Sequence, residues 1–163
     1  VKGLLTIQDG KYNLIGEDRF DLSKNWFINN PILVQALKRN LFNYFKNQAC
    51  TKSNENGWTT FSGYEDQLKG DRYKKGFIAV NMRASNEYRD KKAMAYCANR
   101  FVKPYILKMF KYRNIEMDQD KWALSEMLQW IWRGSIRKNE PMKLYIPSSR
   151  MRNIFLKWLD NEI

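Results

Sequence analysis

The stretch Trp122–Lys138, WALSEMLQWIWRGSIRK, carries the strongest periodic pattern in the chain and predicts a long amphipathic helix. Asp118, four residues ahead of it, is a suitable N-cap, because its carboxylate can accept hydrogen bonds from the first free backbone N–H groups. One side of the helix has apolar residues at spacings of three and four, which is typical of a face that packs on a core. These residues are Leu124, Met127, Leu128 and Ile131.

A second, polar row shares the same predicted helix. Its members recur every four residues and are Ser125, Gln129, Arg133 and Arg137. One amide and two guanidinium groups on a single helical face would form a multi-donor surface suited to a phosphate or carboxylate. Trp122, Trp130 and Trp132 flank this row and could exclude water from it. The alternative interpretation is an ordinary solvated helix face with surface arginines.

The charge of the chain favours a polyanionic partner. The 163 residues contain 29 Lys plus Arg and 17 Asp plus Glu, a formal net charge of +12. Nucleic acid is the first candidate partner, with DNA expected rather than RNA, and an anionic membrane surface is the second. The sequence has no apolar run near the roughly 20 residues that span a bilayer and no secretory signal pattern. It begins at Val1 rather than Met, which favours a piece of a longer protein.

Cysteine and histidine content narrows the possible chemistry. Cys50 and Cys97 are the only cysteines, and the chain has no histidine. We therefore predict no metal site of the usual zinc type and no Ser–His or Cys–His nucleophile pair. The lack of a disulfide framework favours a reducing cytoplasm.

The first part of the chain predicts a hairpin, a helix and a loop. Asp9-Gly10 separates two short extended pieces at 4–7 and 12–15, which is typical of a hairpin turn. Asn30-Pro31 predicts the start of a helix that continues to about Lys46. The polar segment Gln48–Gly57 predicts a loop.

The second part alternates between strands and helices. Gly76–Val80 predicts a strand buried on both faces, followed by a polar loop at 81–86. Ala93–Ala98 predicts another core strand, with a helix as the alternative. Further elements are a helix at Pro104–Tyr112, a strand at Met142–Ile146 and a final helix capped by Ser148 or Ser149. This alternation predicts one α/β domain over 1–163 with a mostly parallel sheet flanked by helices, in which 75–160 is the core and 1–70 is less defined.

The order of these pieces resembles the second, C-terminal RecA-like lobe of superfamily 2 helicases of the DEAD/DEAH type, including helicase-like proteins of phages and mobile elements. The resemblance covers residues 75–159 and rests on three segments. FIAVNMRASN (77–86) resembles motif V, ALSEMLQWIWRGSIR (123–137) resembles motif VI, and KLYIPSSRMRNIFLKWL (143–159) resembles the strand and helix that close the lobe.

The resemblance implies site residues of two kinds. In motif VI, Gln129, Arg133 and Arg137 would act on the γ-phosphate of ATP, the arginines as fingers. In motif V, the contacts to nucleic acid would come from Asn81, Arg83, Ser85 and Asn86. The sequence departs from the family pattern at two positions. Arg137 follows the previous arginine by four residues rather than three, and Trp132 stands where the family often has Gly.

The chain has no GxxxxGK[ST] phosphate loop and no DEAD- or DEAH-type acidic motif. ATP and Mg²⁺ would therefore be bound only together with a P-loop-containing first lobe, and we expect no ATPase from this chain alone. A stand-alone basic nucleic-acid-binding module without catalysis is the alternative function. A regulatory protein that docks on an acidic partner is a third, and the sequence leaves all three open.

Overall fold

The computed structural model describes residues 1–82 and 86–163 and contains one sheet of four parallel strands. The strands are β1 (Leu5–Ile7), β2 (Asn56–Thr59), β3 (Ala93–Tyr96) and β4 (Met142–Tyr145). Their order across the sheet is β1-β4-β3-β2. The predicted α/β fold with a parallel sheet flanked by helices is confirmed, and Ala93–Tyr96 is a strand rather than a helix.

Six α-helices connect or follow the strands in the described part of the chain. They are α1 (Lys24–Asn29), α2 (Pro31–Asn43), α3 (Glu65–Leu68), α4 (Pro104–Tyr112), α5 (Gln119–Ile131) and α6 (Ser149–Leu159). A π-helix, Tyr44–Ala49, continues α2. Across the described ranges, no helix has the length and apolar character needed to cross a bilayer.

Side chains alternate between the two faces of the sheet and pack on different helices. On one face, the ring of Tyr145 in β4 lies 5.1 Å from that of Tyr44 in the π-helix. On the other face, Tyr96 in β3 lies 5.3 Å from Trp130 in α5. Because both faces are covered, the residues of β2, β3 and β4 are almost all buried, as expected for a parallel sheet, whereas those of the edge strand β1 are half-buried or exposed.

The predicted N-terminal hairpin is wrong. The turn signal acts locally, because Gly10 N donates to Asp9 Oδ1 at 2.8 Å and Gly10 has φ +100°. The chain then forms a 3₁₀-helix, Lys11–Gly16, instead of a second strand. β1 pairs in parallel with β4, with Leu5 opposite Met142, so the first residues of the chain belong to the same sheet as the last strand.

The predicted strand Gly76–Val80 is also wrong as a central strand. It meets β2 at a single bridge between Phe77 and Trp58, and Ile78 N donates to Trp58 O at 2.9 Å. Ile78 is buried, whereas Phe77, Ala79 and Val80 are half-buried, so the segment lies along the edge of the sheet. Trp130 Nε1 fixes it to α5 by donating to Ile78 O at 3.0 Å.

Helix α5 ends earlier than the sequence pattern predicts. It stops at Ile131, and a separate 3₁₀-helix covers Ser135–Lys138. Gly134 between them is extended, with φ −80° and ψ −165°. A Cβ built on Gly134 would lie 2.5 Å from the sulfurs of Met94 and Met142, so the backbone passes directly against the starts of β3 and β4.

The other local signals for helix starts are confirmed. Asp118 accepts hydrogen bonds from the N–H groups of Asp120 and Lys121 at 3.1 Å and caps α5. Ser148 accepts from Met151 N at 3.3 Å and caps α6. Pro104 lies in the first turn of α4, which ends at Tyr112 as predicted.

Candidate functional sites at the two ends of the sheet

At the amino ends of β3 and β4, the segment 133–138 meets the described residues that follow the motif V-like loop. Ser135 N donates to Lys91 O at 2.9 Å, and Lys138 Nζ lies 3.3 Å from Asp90 Oδ1. Residues 90 and 91, which follow the motif V-like segment, therefore lie beside the end of the motif VI-like segment. The two segments themselves meet where Trp130 Nε1 donates to Ile78 O at 3.0 Å. We call this region the amino-end cluster, defined as residues 86–91 and 133–138.

The three predicted catalytic residues do not share one helical face. Gln129 is exposed on α5, Arg133 follows the end of that helix and is only 3% exposed, and Arg137 is exposed in the 3₁₀-helix. The predicted continuous row is wrong because the helix stops two residues before Arg133. The function assigned to these residues stays a prediction.

Burial and neighbouring charges shift the pKa values of two cations in the amino-end cluster. Burial lowers the pKa of Arg133, the neighbouring Tyr88 raises it, and the repulsion from Arg137 lowers it further. Burial likewise lowers the pKa of Lys91, while Asp90 raises it. An anionic group beside Arg133 and Arg137 would offset both the desolvation and the mutual repulsion of the guanidinium groups.

The four predicted nucleic-acid-binding residues have different positions. Asn81 is exposed and lines a cavity described below. Asn86 is exposed in a bend that leads into the amino-end cluster. Arg83 and Ser85 lie outside the described residues.

The second candidate site is a cavity of about 700 Å³ at the carboxyl ends of β2 and β3. Thr60 follows β2 directly, and Asn99 and Arg100 follow β3 within a few residues. Loops at this edge of a parallel sheet are the usual ligand-binding position in open α/β folds. Aromatic rings form much of the wall and come from Phe61, Phe77, Phe101, Tyr105 and Trp122.

The polar part of this cavity includes three cations, one carboxylate, Glu65, and several hydroxyl and amide side chains. Lys24, Arg100 and Lys103 contribute positive charge to its lining. Arg100 Nη1 lies 3.1 Å from Glu126 Oε2, and its guanidinium lies 4.9 Å from the centre of the Trp122 ring. Thr60 is fully buried, and within residues 1–82 and 86–163 its Oγ1 has no hydrogen-bond partner.

A buried arginine holds the loop after β3 in place. Arg150, at the start of α6, is 7% exposed and donates to Asn99 Oδ1 at 2.9 Å and to Asp120 Oδ1 at 3.1 Å. Its guanidinium also stacks 4.0 Å from the centre of the Phe101 ring. Asn99 Nδ2 continues the network to Asp21 O at 3.0 Å. These contacts fix the cavity wall rather than present a free charge.

Sequence reasoning missed the cavity residues that follow β3. The polar stretch NRFVKP (99–104) comes directly after the apolar run AMAYCA. Because a polar loop at the carboxyl end of a strand can contact a ligand, the argument made for 81–86 applies equally to 99–104. The aromatic members could not be separated from core residues by pattern alone. Other rings of the chain are less accessible, since Tyr73 and Trp130 are buried and Tyr64 and Tyr88 are half-buried.

A parallel sheet enclosed on both faces, with a cavity at its carboxyl edge, defines a Rossmann-like α/β domain. The family model described as the YonV C-terminal Rossmann-like domain matches residues 1–159, and the chain belongs to this family. The SPbeta prophage-derived uncharacterized protein YonV of Bacillus subtilis (strain 168) is 45% identical over 158 residues. That match covers 97% of this chain and 38% of the relative. No solved structure matches the chain.

Proposed function

We propose that the chain is the C-terminal lobe of a nucleic-acid-dependent ATPase of the helicase type. The observation that carries this proposal is that the two motif-like segments meet, because Trp130 Nε1 in the motif VI-like segment donates to Ile78 O in the motif V-like segment at 3.0 Å. In this role the lobe supplies arginines to ATP and Mg²⁺ that a P-loop-containing first lobe binds. The chain alone then hydrolyses no ATP.

Arg133 and Arg137 have different roles in this proposal because they differ in solvent exposure. Arg137 is exposed and is the residue that reaches a phosphate presented by another lobe. Arg133 is 3% exposed and adds positive potential beneath it. Together they stabilise the charge that develops on the transferred phosphoryl group. Gln129, exposed one helical turn earlier, contributes an amide hydrogen bond rather than a charge.

In this role, nucleic-acid binding couples the cycle of ATP hydrolysis to a nucleic-acid strand. The net charge of +12 provides long-range attraction for a polyanion, and DNA is the expected target. Asn81, Arg83, Ser85 and Asn86 are proposed to contact the strand or to relay the nucleotide state. Asn81 supports this assignment best, because it lines the carboxyl-edge cavity.

The arginine assignment is tested by Arg137→Ala in the longest protein that contains this chain. We expect strand-stimulated ATP hydrolysis to fall about 100-fold or more, because an arginine that contacts the transferred phosphoryl group acts mainly in the transition state. Arg39→Ala is the matched control, since Arg39 is exposed on α2 on the other face of the sheet. Hydrolysis by Arg137→Ala at the wild-type rate would remove the proposal.

The alternative is a nucleic-acid-binding module without catalysis. It is favoured by the basic segment 103–113, which carries Lys103, Lys108, Lys111 and Arg113 and no acidic residue. Absence of ATPase from the longest protein, together with strand binding that weakens steeply as salt rises, would establish this alternative instead.

A further inference from the structure

Helix α4 leaves its side chains unusually uncovered. None of its nine residues is buried, although Ile106, Leu107 and Phe110 are half-buried on its inner side. Its outer side carries Tyr105, 59% exposed, Met109, 57% exposed, and Tyr112, 91% exposed. These three residues are four and three positions apart and therefore form one stripe along the helix. A stripe of large apolar groups in water indicates an interaction surface.

The charge around this stripe indicates the class of partner that it binds. Lys108 lies within the stripe, one turn from both tyrosines, and Lys103, Lys111 and Arg113 lie close in sequence. The segment 103–115 contains four basic residues and no acidic one. Aromatic rings with interleaved cations are typical of surfaces that bind single-stranded nucleic acid, because bases stack on rings while phosphates contact the cations.

The stripe leads into the carboxyl-edge cavity. Lys103, Pro104, Tyr105 and Ile106 at the start of α4 are all part of the cavity lining. Tyr105 therefore belongs to both surfaces. The distance along the helix axis from Tyr105 to Tyr112 is about 10 Å, which is the length of roughly three stacked nucleotides.

The cavity itself suits a base. Its rings can stack on a planar heterocycle, and Lys24 and Lys103, which are exposed and line the cavity, can contact a phosphate. The buried Thr60 hydroxyl, which makes no hydrogen bond to any described residue, can donate to or accept from a base edge. A buried polar group of this kind gains a hydrogen bond when the ligand enters.

We propose that a single strand of nucleic acid runs along the Tyr105–Met109–Tyr112 stripe of α4 and places one base in the cavity beside Thr60. This inference deepens the nucleic-acid-binding part of the proposed function by naming the strand-binding surface. It is independent of the arginines at the amino ends of the strands. An anionic membrane is the competing partner, but α4 is only nine residues long and its stripe carries two hydroxyl-bearing rings.

The test is fluorescence anisotropy of the chain with a labelled oligothymidylate of about 20 nucleotides. We expect Tyr112→Ala to weaken binding about tenfold and Tyr112→Phe to keep it, because stacking needs the ring but not the hydroxyl. Thr60→Val, which keeps the side-chain shape, should weaken binding about fivefold without lowering Tm. Ile32→Ala, at an 82% exposed residue on α2, is the matched control and should bind as the unmodified chain does.

Three further experiments distinguish a nucleic-acid strand from other partners. A free mononucleotide should compete poorly, and vesicles containing phosphatidylserine should bind no better to the unmodified chain than to Tyr112→Ala. An oligonucleotide carrying iodouracil should crosslink on irradiation to the peptide that contains 104–112. The proposal is overturned by oligonucleotide binding that neither Tyr112→Ala nor Thr60→Val weakens. It is equally overturned if the mononucleotide competes as well as the strand does. It is also overturned if Tyr112→Ala loses vesicle binding rather than oligonucleotide binding.

Discussion

The two ends of the parallel sheet differ in how they use positive charge. At the amino end, Arg133 is 3% exposed and directly precedes Gly134, whose backbone packs against Met94 and Met142, while Lys138 pairs with Asp90 nearby. At the carboxyl end, the cations surround an open cavity of about 700 Å³, and α4 extends from it with exposed rings. The first arrangement is suited to holding a group in a fixed position, and the second to receiving a flexible ligand.

In the proposed function, this difference separates phosphoryl-group contact and strand binding in space. In that function, Arg137 contacts the transferred phosphoryl group, and the buried Arg133 adds a positive charge that does not need to reorganise. A strand that must move needs contacts that tolerate any base, and exposed rings on a helix provide them. Each of the following predictions alters a residue near one end of the sheet and measures the effect on stability.

The largest structural effect is expected at Gly76, where the edge segment 77–82 begins. A Cβ at this position would lie 1.9 Å from the carbonyl oxygen of Asn56, so Gly76→Ala must displace backbone. We expect a loss of about 3 kcal/mol or more in the free energy of unfolding, measured by urea denaturation. Gly3→Ala is the control, because a Cβ there meets nothing within 4 Å among the described residues. Equal stability of the two variants would show that the edge segment does not pack as described.

The next effect concerns the buried arginine of the carboxyl end. Arg150→Met leaves Asn99 Oδ1 and Asp120 without their donor and should cost about 2–4 kcal/mol of stability. Asp120 is half-exposed, which keeps this loss below that of a fully buried pair. Lys157→Met, at an exposed position on the same helix, should change stability little. If Arg150→Met unfolds at the same denaturant concentration as Lys157→Met, the network does not hold the cavity wall.

The smallest effect is a pH dependence at the amino end of β2. The backbone N–H of Lys52 and the ammonium of Lys92, 3.0 Å away, lower the pKa of Glu55. A carboxylate with a lowered folded-state pKa contributes stability that is fully present above its ordinary pKa of 4.5 and is lost as pH falls through the folded-state value.

Glu55→Gln should therefore be slightly less stable than the unmodified chain at pH 7, and the difference should shrink as acid is added below about pH 5. Thermal unfolding over a pH series measures this. A difference that grows on acidification would reverse the sign and contradict the assignment. At neutral pH, Glu55→Gln should leave the hydrogen-bond network of Arg150 at the carboxyl edge unchanged.

Local signals explain which elements could be predicted from the sequence. Asp118, Pro104 and Ser148 mark helix starts through backbone hydrogen bonds or a fixed φ, and these act within a few residues. The strands β3 and β4 were recognised from short apolar or alternating runs. Each of these features is decided by neighbours in sequence, so the pattern was sufficient.

The errors all come from contacts between distant segments. The pairing of β1 with β4 joins residues more than 130 positions apart, and no local turn signal could reveal it. The four-residue spacing of polar side chains continues past Ile131, but the packing of Gly134 on Met94 and Met142 ends the helix there. The cavity was missed for the same reason, because its walls come from α4, from the β2 loop and from the end of β3.

The most direct test compares Arg137→Ala with Tyr112→Ala in the longest protein that contains this chain, measuring strand affinity and strand-stimulated ATP hydrolysis for both. We predict that Arg137→Ala binds the strand normally but hydrolyses ATP about 100-fold more slowly. Tyr112→Ala should bind the strand weakly and recover hydrolysis at saturating strand concentration. Loss of strand affinity in Arg137→Ala with normal affinity in Tyr112→Ala would contradict the separation of the two ends.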